Sequence, residues 1–202
     1  MERTVCFRDF EERDIDFIYK CKNDEKLNSM IVGQWHPFTY EEAAKWVHGC
    51  MGEHETYKFW AIATNDEEKR IVGWISLSKI DCTNNSAHFH GIVIGDDNYR
   101  DGNAWIESYL FVLEYAFEKL NLHRLTGSHL ALHPMTGYIS LAMNFKEEGL
   151  FRDAVYKDGR YHDEVFTAML DTDYFSYKKQ NGYEYYNIVS NIIKYKKKSK
   201  WN

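Results

Sequence analysis

The sequence predicts one domain of the α+β or mixed α/β class. Three consecutive runs rich in aromatic and β-branched residues, "KFWAIAT", "RIVGWISLSKI" and "SAHFHGIVIG", are joined by turn residues and indicate a meander of antiparallel strands. A long helical pattern follows the third run and leads into another strand. The chain of 202 residues is long enough to bury one sizeable core, although its length alone does not exclude two domains.

A short strand and two helices precede the meander. The segment "TVCFRDF" predicts the strand, and "DIDFIYKCKND" predicts an amphipathic helix with Ile15, Ile18 and Tyr19 on one side and Lys20 and Lys22 opposite. The second helix lies in "FTYEEAAKWVHGCM", where a threonine and a glutamate three residues later form a capping box. The capping residues are Thr39 and Glu42. The predicted buried stripe consists of Ala43, Val47, Cys50 and Met51.

Helices and strands alternate after the meander. The segment from Ala104 to Lys119 is the best helical pattern in the chain, "HRLTGSHLAL" is a strand, and "PMTGYISLAMN" is a short helix entered through Pro134. The last part, "EEGLFRDAVYKDGRYHDEVFTAML", is a hairpin that turns at Asp158 and Gly159. The strand, loop, helix, strand order in the middle predicts a right-handed crossover. The long helix buries a face made of Ile106, Leu110, Leu113 and Phe117.

The charge distribution bears on partners and on domain limits. A formal charge of -6 argues against nucleic acid as the main partner, because phosphate-driven binding needs a clustered basic surface. The tail "NIIKYKKKSKWN" is the exception, and its lysines are typical of the solvated end of a last helix. We therefore expect a domain over residues 1–175 and a lysine-rich helical extension over 176–202. A contact of this tail with nucleic acid or another acidic surface stays an alternative.

The cysteines and the N-terminus bear on the compartment. The four cysteines have no CxxC spacing and no histidine at finger distance, so neither a zinc site nor a disulfide framework is predicted. The N-terminus lacks an apolar signal core, and no window reaches the roughly 18 apolar residues that a membrane span needs. We expect a protein of the reducing cytoplasm without metal or membrane contact, and a homodimer is left open. These cysteines are Cys6, Cys21, Cys50 and Cys82.

The loop "NYRDGNAWIES", Asn98 to Ser108, joins the third strand of the meander to the long helix. Free backbone N–H groups and the helix dipole both favour an anion at such a junction. A diphosphate ligand therefore fits the loop, although one arginine and one glycine alone are equally typical of a plain structural turn.

The order of several separated motifs resembles the GNAT superfamily of N-acyltransferases, specifically the branch of ribosomal-protein alanine acetyltransferases and spermidine acetyltransferase. The resemblance covers roughly residues 5–171. It includes "FRDFEERDIDFIYKCKND", "HPFTYEEAAKWV", "IVGWISL", "EYAFEKLNLHRL" and the hairpin. It implies a central, mostly antiparallel twisted sheet flanked by helices, with acetyl-CoA as the acyl donor.

The resemblance places the pantetheine of acetyl-CoA on the backbone of Ile92, Val93 and Ile94. The pyrophosphate would lie on the family loop R/Q-x-x-G-x-G/A. Counting from Arg100 puts Asn103 and a tryptophan at the small-residue positions, whereas counting from the preceding tyrosine aligns a glycine and an alanine. The Arg100 frame is kept because positions further along the helix agree only with it. The predicted pyrophosphate residues are Arg100, Asp101, Gly102, Asn103 and Ala104, and the aspartate predicts weakened cofactor binding.

Three polar groups that are common in the family are replaced. The position of a tyrosine that acts as the leaving-group acid is Ser140, which retains a hydroxyl for a hydrogen bond to sulfur. The position of an asparagine that helps to hold the cofactor is His133, and a common glutamate base position is Ser128. These replacements are typical of a site that has lost activity or has recruited other groups.

Histidines are the candidate replacements because an imidazole titrates near neutral pH. His88 and His90 alternate along the cofactor strand, and His129 shares a face of the next strand with His133. We predict His90 as the base, directly or through water, because it lies nearest the pantetheine segment. Each histidine also has an ordinary structural interpretation, and no spacing completes a zinc site. The residues expected on the acceptor side are Trp35, His36 and His88.

The sequence therefore predicts an acetyl-CoA-dependent N-acetyltransferase. Its acceptor would be a primary amine of a small molecule, an amino-sugar nucleotide or a protein N-terminus. The alternative is a catalytically silent GNAT-fold protein that binds CoA or a partner, because a fold does not dictate a function.

Overall fold

The computed structural model describes residues 3–29, 31 and 35–198. Within these residues the strands are β1 (Val5–Arg8), β2 (Lys58–Thr64), β3 (Ile71–Asp81), β4 (Ser86–Ile94), β5 (Arg124–Leu130), β6 (Lys146–Lys157) and β7 (Arg160–Leu170). They form one sheet in the order β1-β2-β3-β4-β5-β7-β6. The β4–β5 pair is parallel, and the β1–β2, β2–β3, β5–β7 and β6–β7 pairs are antiparallel. The predicted mixed class with a mostly antiparallel sheet is confirmed.

Helices account for most of the remaining described residues. They are α1 (Ile15–Lys22), α2 (Glu25–Ser29), α3 (Tyr40–Cys50), α4 (Asn103–Glu114), α5 (Pro134–Ala142), α6 (Asp171–Asn181) and α7 (Tyr185–Lys198), with a π-helical turn over Tyr115–Lys119 after α4. None of the helices in the described part of the chain is both long and apolar enough to cross a membrane. The described residues form two compact units, one made of 3–29, 31, 35–80 and 90–111 and the other of 81–89 and 112–198.

The first unit is organised by the packing of α1 and α3. The predicted capping box is present, since the Thr39 hydroxyl accepts a hydrogen bond from the Glu42 amide and the Glu42 carboxylate accepts one from the Thr39 amide at 2.7 Å. The prediction for α1 is wrong in one respect: Tyr19 is 39% exposed, and Cys21 is buried instead. Lys22 was expected on the solvated side of α1, but it is partly buried and its Nζ lies against the Trp46 ring.

The second unit contains the β7–β6 hairpin, which turns at Asp158 and Gly159 with φ of 52° and 80°, as predicted. Its short helix α5 begins with the expected proline and packs against α7. Two tyrosines of the C-terminal helical region donate hydrogen bonds to carbonyl groups at the end of α5. Tyr177 donates to the Ala142 carbonyl at 3.2 Å, and Tyr183 donates to the Met143 carbonyl at 3.3 Å.

Candidate active site

The candidate cofactor strand is β4, whose parallel register with β5 ends at Phe89 and Gly127. Gly91 follows with φ of 106°, a backbone conformation that residues with a Cβ rarely adopt. This glycine makes the backbone of β4 irregular directly after His90, although the strand continues to Ile94. Both isoleucine side chains of the segment Ile92–Ile94 are buried, so the segment has backbone rather than isoleucine side chains to offer a ligand.

Arg100 ties the following loop to the end of β4. Its Nε donates to the Ile94 carbonyl at 2.9 Å, and its terminal nitrogens bind the Gly95 carbonyl at 3.2 Å and the Asp97 carboxylate. A guanidinium with these partners fixes the loop's shape and does not extend toward a ligand as a single free charge. Arg100 organises the loop through these contacts, and its part in phosphate binding stays a prediction.

The turn into α4 lies at Gly102, which has φ of 99°. The Asp101 carboxylate accepts hydrogen bonds from the Asn103 amide at 2.9 Å and from its Nδ2 at 2.6 Å, and Ala104 is fully buried. Asn103 is already the first helical residue, so the left-handed conformation falls on the glycine that counting from Tyr99 aligns with the motif. Asp101 occupies one of the N–H groups that a helix N-terminus offers to an anion.

His90 has an exposed side chain on β4, yet its surroundings disfavour the imidazolium. Partial burial lowers the pKa of His90 below its ordinary value of 6.5, and the positive charges of Lys79 and Lys22 lower it further. The imidazole is therefore neutral at neutral pH. This is the protonation state that a general base needs.

Lys22 lies in a group of aromatic rings, here named the Lys22 cage, which consists of Lys22, Phe38, Trp46 and Trp74. The lysine Nζ is 4.7 Å from the centre of the Trp46 ring and 5.3 Å from the centres of the Phe38 and Trp74 rings. Burial lowers the pKa of Lys22. The cage holds an ammonium ion against three ring faces, an arrangement that attracts cations electrostatically.

The predicted acceptor-side residues Trp35 and His36 lie beside this cage. Trp35 Nε1 donates to the Lys22 carbonyl at 2.7 Å, and the His36 ring is 5.4 Å from the Phe38 ring. Asn23 holds Phe38 in place, because its Nδ2 donates to the Phe38 carbonyl at 3.0 Å and its Oδ1 accepts from the Phe38 amide at 3.1 Å. Both predicted residues therefore belong to the surroundings of a lysine that the sequence analysis placed on the solvated side.

The spacing of α1 already contained the signal for Lys22. The residue lies seven positions after Ile15 and four after Ile18, so it falls on the same helical face as both buried isoleucines. Lys22 was assigned to the solvated side of α1 because it is charged, although its spacing places it on the buried face. A lysine on the apolar face of a helix can pack its aliphatic stem against buried side chains, so its position favours a partly buried environment.

In the second unit, the candidate residues lie on and before α5. Ser140 is buried on this helix, with 5% of its surface exposed. His133 is the residue that precedes α5, and within the described residues its Nε2 is buried without a hydrogen-bond partner. Burial, together with the charges of Lys157 and His162, lowers the pKa of His133. A neutral ring with an unsatisfied buried nitrogen is suited to a hydrogen bond from or to a ligand.

His88 and His129 of the second unit lie in packed surroundings on β4 and β5. His88 Nδ1 is 3.0 Å from the Thr126 hydroxyl. His129 is buried beneath α5, where a Cβ added to Gly137 would come within 2.8 Å of its Nε2, and burial lowers its pKa. Ser128, at the base position of the family, is partly buried on β5. Within residues 3–29, 31 and 35–198, no three His, Cys, Asp or Glu side chains are grouped to hold a metal ion.

The strand β4, a loop, the helix α4 and the strand β5, parallel to β4, follow one another, and such a strand–loop–helix junction in a mixed α/β protein is suited to an anionic cofactor. A sequence profile described as the acetyltransferase (GNAT) domain matches residues 4–146. The chain therefore belongs to the GNAT acetyltransferase family. The predicted transfer of an acetyl group from acetyl-CoA to an amine is confirmed by this membership, and the catalytically silent alternative is not favoured.

Individual relatives are similar along most of the chain at low identity. The uncharacterized N-acetyltransferase YnaD of Bacillus subtilis (strain 168) is 24% identical over 177 residues, which cover 85% of this chain and 96% of that protein. The spermidine N(1)-acetyltransferase of Vibrio cholerae is 25% identical over 178 residues, covering 86% and 97%. A crystal structure of Vibrio cholerae spermidine N-acetyltransferase with CoA and spermine has a TM-score of 0.73 at 22% identity and covers 85% of this chain and 98% of its own.

Proposed function

We propose that this acetyltransferase acetylates a primary amine of a small molecule and that the loop from Arg100 to Ala104 binds the pyrophosphate of acetyl-CoA. The observation that carries the proposal is the left-handed turn at Gly102, directly before α4, in a loop that Arg100 fastens to β4. The turn exposes the first amides of a helix, and these donate to anions. The relative named spermidine N(1)-acetyltransferase supports a small amine as the acceptor.

Acetyl-CoA supplies a thioester whose carbonyl carbon the acceptor amine attacks. Within the chain, the backbone of Ile92–Ile94 and the α4 N-terminus would hold the cofactor, while Asp101 weakens its binding because a carboxylate repels phosphates. The unsatisfied Nε2 of His133 also fits a polar group of the cofactor. These residues bind and orient the donor.

Proton transfer falls to His90 in this proposal. A neutral amine is required for attack, and the lowered pKa of His90 leaves an imidazole that can accept the amine's proton at neutral pH. Ser140 would donate a hydrogen bond to the departing sulfur, with a hydroxyl that is a weaker acid than a tyrosine. Trp35, His36 and His88 keep their predicted place on the acceptor side.

The test is a calorimetric titration with acetyl-CoA, followed by an assay of CoA release from polyamines, amino-sugar nucleotides and short peptides with free N-termini. We expect saturable binding and release of CoA with at least one small amine. A ligand that binds the folded state raises its thermal midpoint by mass action. Absence of both heat and a thermal shift at millimolar acetyl-CoA would contradict the assignment of the loop.

A further inference from the structure

The Lys22 ammonium differs from other cations of the first unit in its partners. Within the described residues, no carboxylate forms an ion pair with Lys22, and ring faces surround its Nζ. Other partly buried basic side chains of this unit each have a carboxylate. These pairs are Arg8–Asp14 at 2.8 Å and Lys58–Asp9 at 3.1 Å.

The titratable groups that face Lys22 do not supply a negative charge. Among the residues that the structure describes, these groups are the Cys21 and Cys50 thiols and the His90 ring. Burial raises the pKa of both thiols to about 12, so both are neutral at neutral pH. The lowered pKa of His90 leaves its ring neutral at neutral pH. A partly desolvated ammonium ion with ring faces and neutral groups around it is incompletely compensated.

The cage is also fixed in place. Asn23 bonds both the amide and the carbonyl of Phe38, and Trp35 bonds the carbonyl of Lys22. Trp74 is 6% exposed, so its ring is held by the core. The position of the ammonium is therefore set in advance, as recognition of an anion requires.

We propose that Lys22 binds a carboxylate or phosphate of the acceptor, so that the acceptor is a primary amine that also carries an anionic group. This inference rests on the proposed function, because it takes His90 as the base and Trp35 and His36 as acceptor-side residues. Trp74 of the cage belongs to a hydrophobic cluster against which Phe38, Trp46 and Val93 also pack, so the cage lies close to the proposed cofactor segment Ile92–Ile94. A polyamine would bring a second ammonium toward Lys22 and is therefore disfavoured.

The test compares acceptors that differ only in the anionic group. CoA release is measured with phosphoethanolamine and ethanolamine, with a dipeptide and its C-terminal amide, and with spermidine. We expect kcat/KM for the anionic member of a pair to exceed that for its neutral partner by about ten-fold or more, as for other charge-assisted contacts. Lys22→Met should abolish this preference and Lys22→Arg should retain most of it. Lys20→Met is the matched control, an exposed lysine of the same helix, and should behave as the unmodified protein.

Each outcome has a definite meaning. Equal use of both members of each pair, or a clear preference for spermidine, would overturn the inference while leaving the acetyltransferase assignment intact. An unchanged acceptor preference in Lys22→Met, with a larger Kd for acetyl-CoA, would assign the anion to the cofactor and also overturn it. Binding of acetyl-CoA without CoA release from any acceptor would instead contradict the proposed function. The acceptor preference of the unmodified protein decides the question even if Lys22→Met fails to fold.

Discussion

The cofactor loop, Asp96 to Asn103, and the Lys22 cage differ in the partners of their charged side chains. In the loop, Arg100 binds two carbonyls and Asp97, and Asp101 binds Asn103. In the cage, the ammonium is held by aromatic rings, and its neighbouring thiols are neutral. The loop therefore uses its charged side chains to hold its own shape, and it offers a ligand mainly backbone.

This difference separates two kinds of positive charge that look alike in the sequence. Arg100 stands at a motif position and has partners in the chain, whereas Lys22 stands outside any motif and has no carboxylate partner within the described residues. The partners of a charged group, rather than its place in a motif, indicate whether it is available to a ligand. Substitutions in the two regions should consequently have different effects on activity, folding and binding.

The largest effect is expected beside the cage, at His90. His90→Ala should lower turnover by roughly 10²- to 10⁴-fold, because it removes a general base. The Kd for acetyl-CoA should change little. In the unmodified protein, kcat/KM should rise with pH along an acidic limb whose midpoint lies below 6.5, since the pKa of His90 is lowered and its neutral form is the active one.

His88→Ala and His133→Ala serve as comparisons, and both should lower turnover less than His90→Ala does. Parent-level turnover in His90→Ala would remove the histidine from the mechanism. Stopped-flow or steady-state CoA release over a range of pH provides the measurement.

The next effect is on the free energy of unfolding, which should respond differently to replacement of Arg100 and of Lys22. Arg100→Met should lower the free energy of unfolding by about 1–2 kcal/mol, because it removes charge-assisted hydrogen bonds to two carbonyls at a partly exposed site. Lys22→Met should change it by less than about 1 kcal/mol, because a methionine side chain packs well against aromatic rings.

Urea unfolding followed by circular dichroism measures both changes. Arg13→Met is the control: it removes a surface ion pair with Glu11 and one hydrogen bond to the Glu68 carbonyl at an exposed site, and we expect a smaller change than for Arg100→Met. A larger loss for Lys22→Met than for Arg100→Met would reverse the comparison and make the cage a stabilising element.

A smaller effect is expected at the start of α4. Asp101→Gly should tighten acetyl-CoA binding by roughly three- to ten-fold, since it removes a carboxylate near phosphates and frees the Asn103 amide. The lost capping interaction should cost about 1 kcal/mol of stability. Calorimetry with acetyl-CoA measures the first change. Asp81→Asn, which removes a turn carboxylate outside the loop, should leave the Kd unchanged, and a weaker Kd in Asp101→Gly would contradict the prediction.

The smallest expected effect is a change in the pKa of His90 when Lys22 is replaced. Removing the positive charge in Lys22→Met should raise the pKa of His90, because Lys22 is one of the charges that lower it. The acidic limb of the pH–rate profile should therefore move to higher pH in this variant and stay in place in Lys20→Met. An unshifted limb would mean that Lys22 does not act on the catalytic base.

Elements with strong local signals were predictable from the sequence. The capping box of α3, the strands of the meander and the turn at Asp158–Gly159 depend on residues close together in the chain, and each was found near its predicted limits. Features set by distant contacts were missed. Examples are the π-helical turn after Glu114 and the short helix α2, which have no distinct periodicity of their own.

The site was predictable in its position more than in its details. The loop between β4 and α4 follows from the strand–helix order. The Arg100 frame kept in the prediction puts Asn103 at the first glycine position, whereas the structure gives the left-handed turn to Gly102. The unsatisfied nitrogen of His133 and the cage around Lys22 depend on side chains that come together only in the folded chain. The division at residue 175 stays a prediction, and α6 runs across that position.

The tyrosines that complete α5 also bear on how the protein is made. Tyr177 bonds a carbonyl 35 residues earlier in the chain, and Tyr183 bonds one 40 residues earlier. While the ribosome is still translating this region, the end of α5 lacks these two hydrogen-bond donors. The helix that carries Ser140 therefore reaches its mature hydrogen bonding only in a nascent chain that has been synthesised through Tyr183.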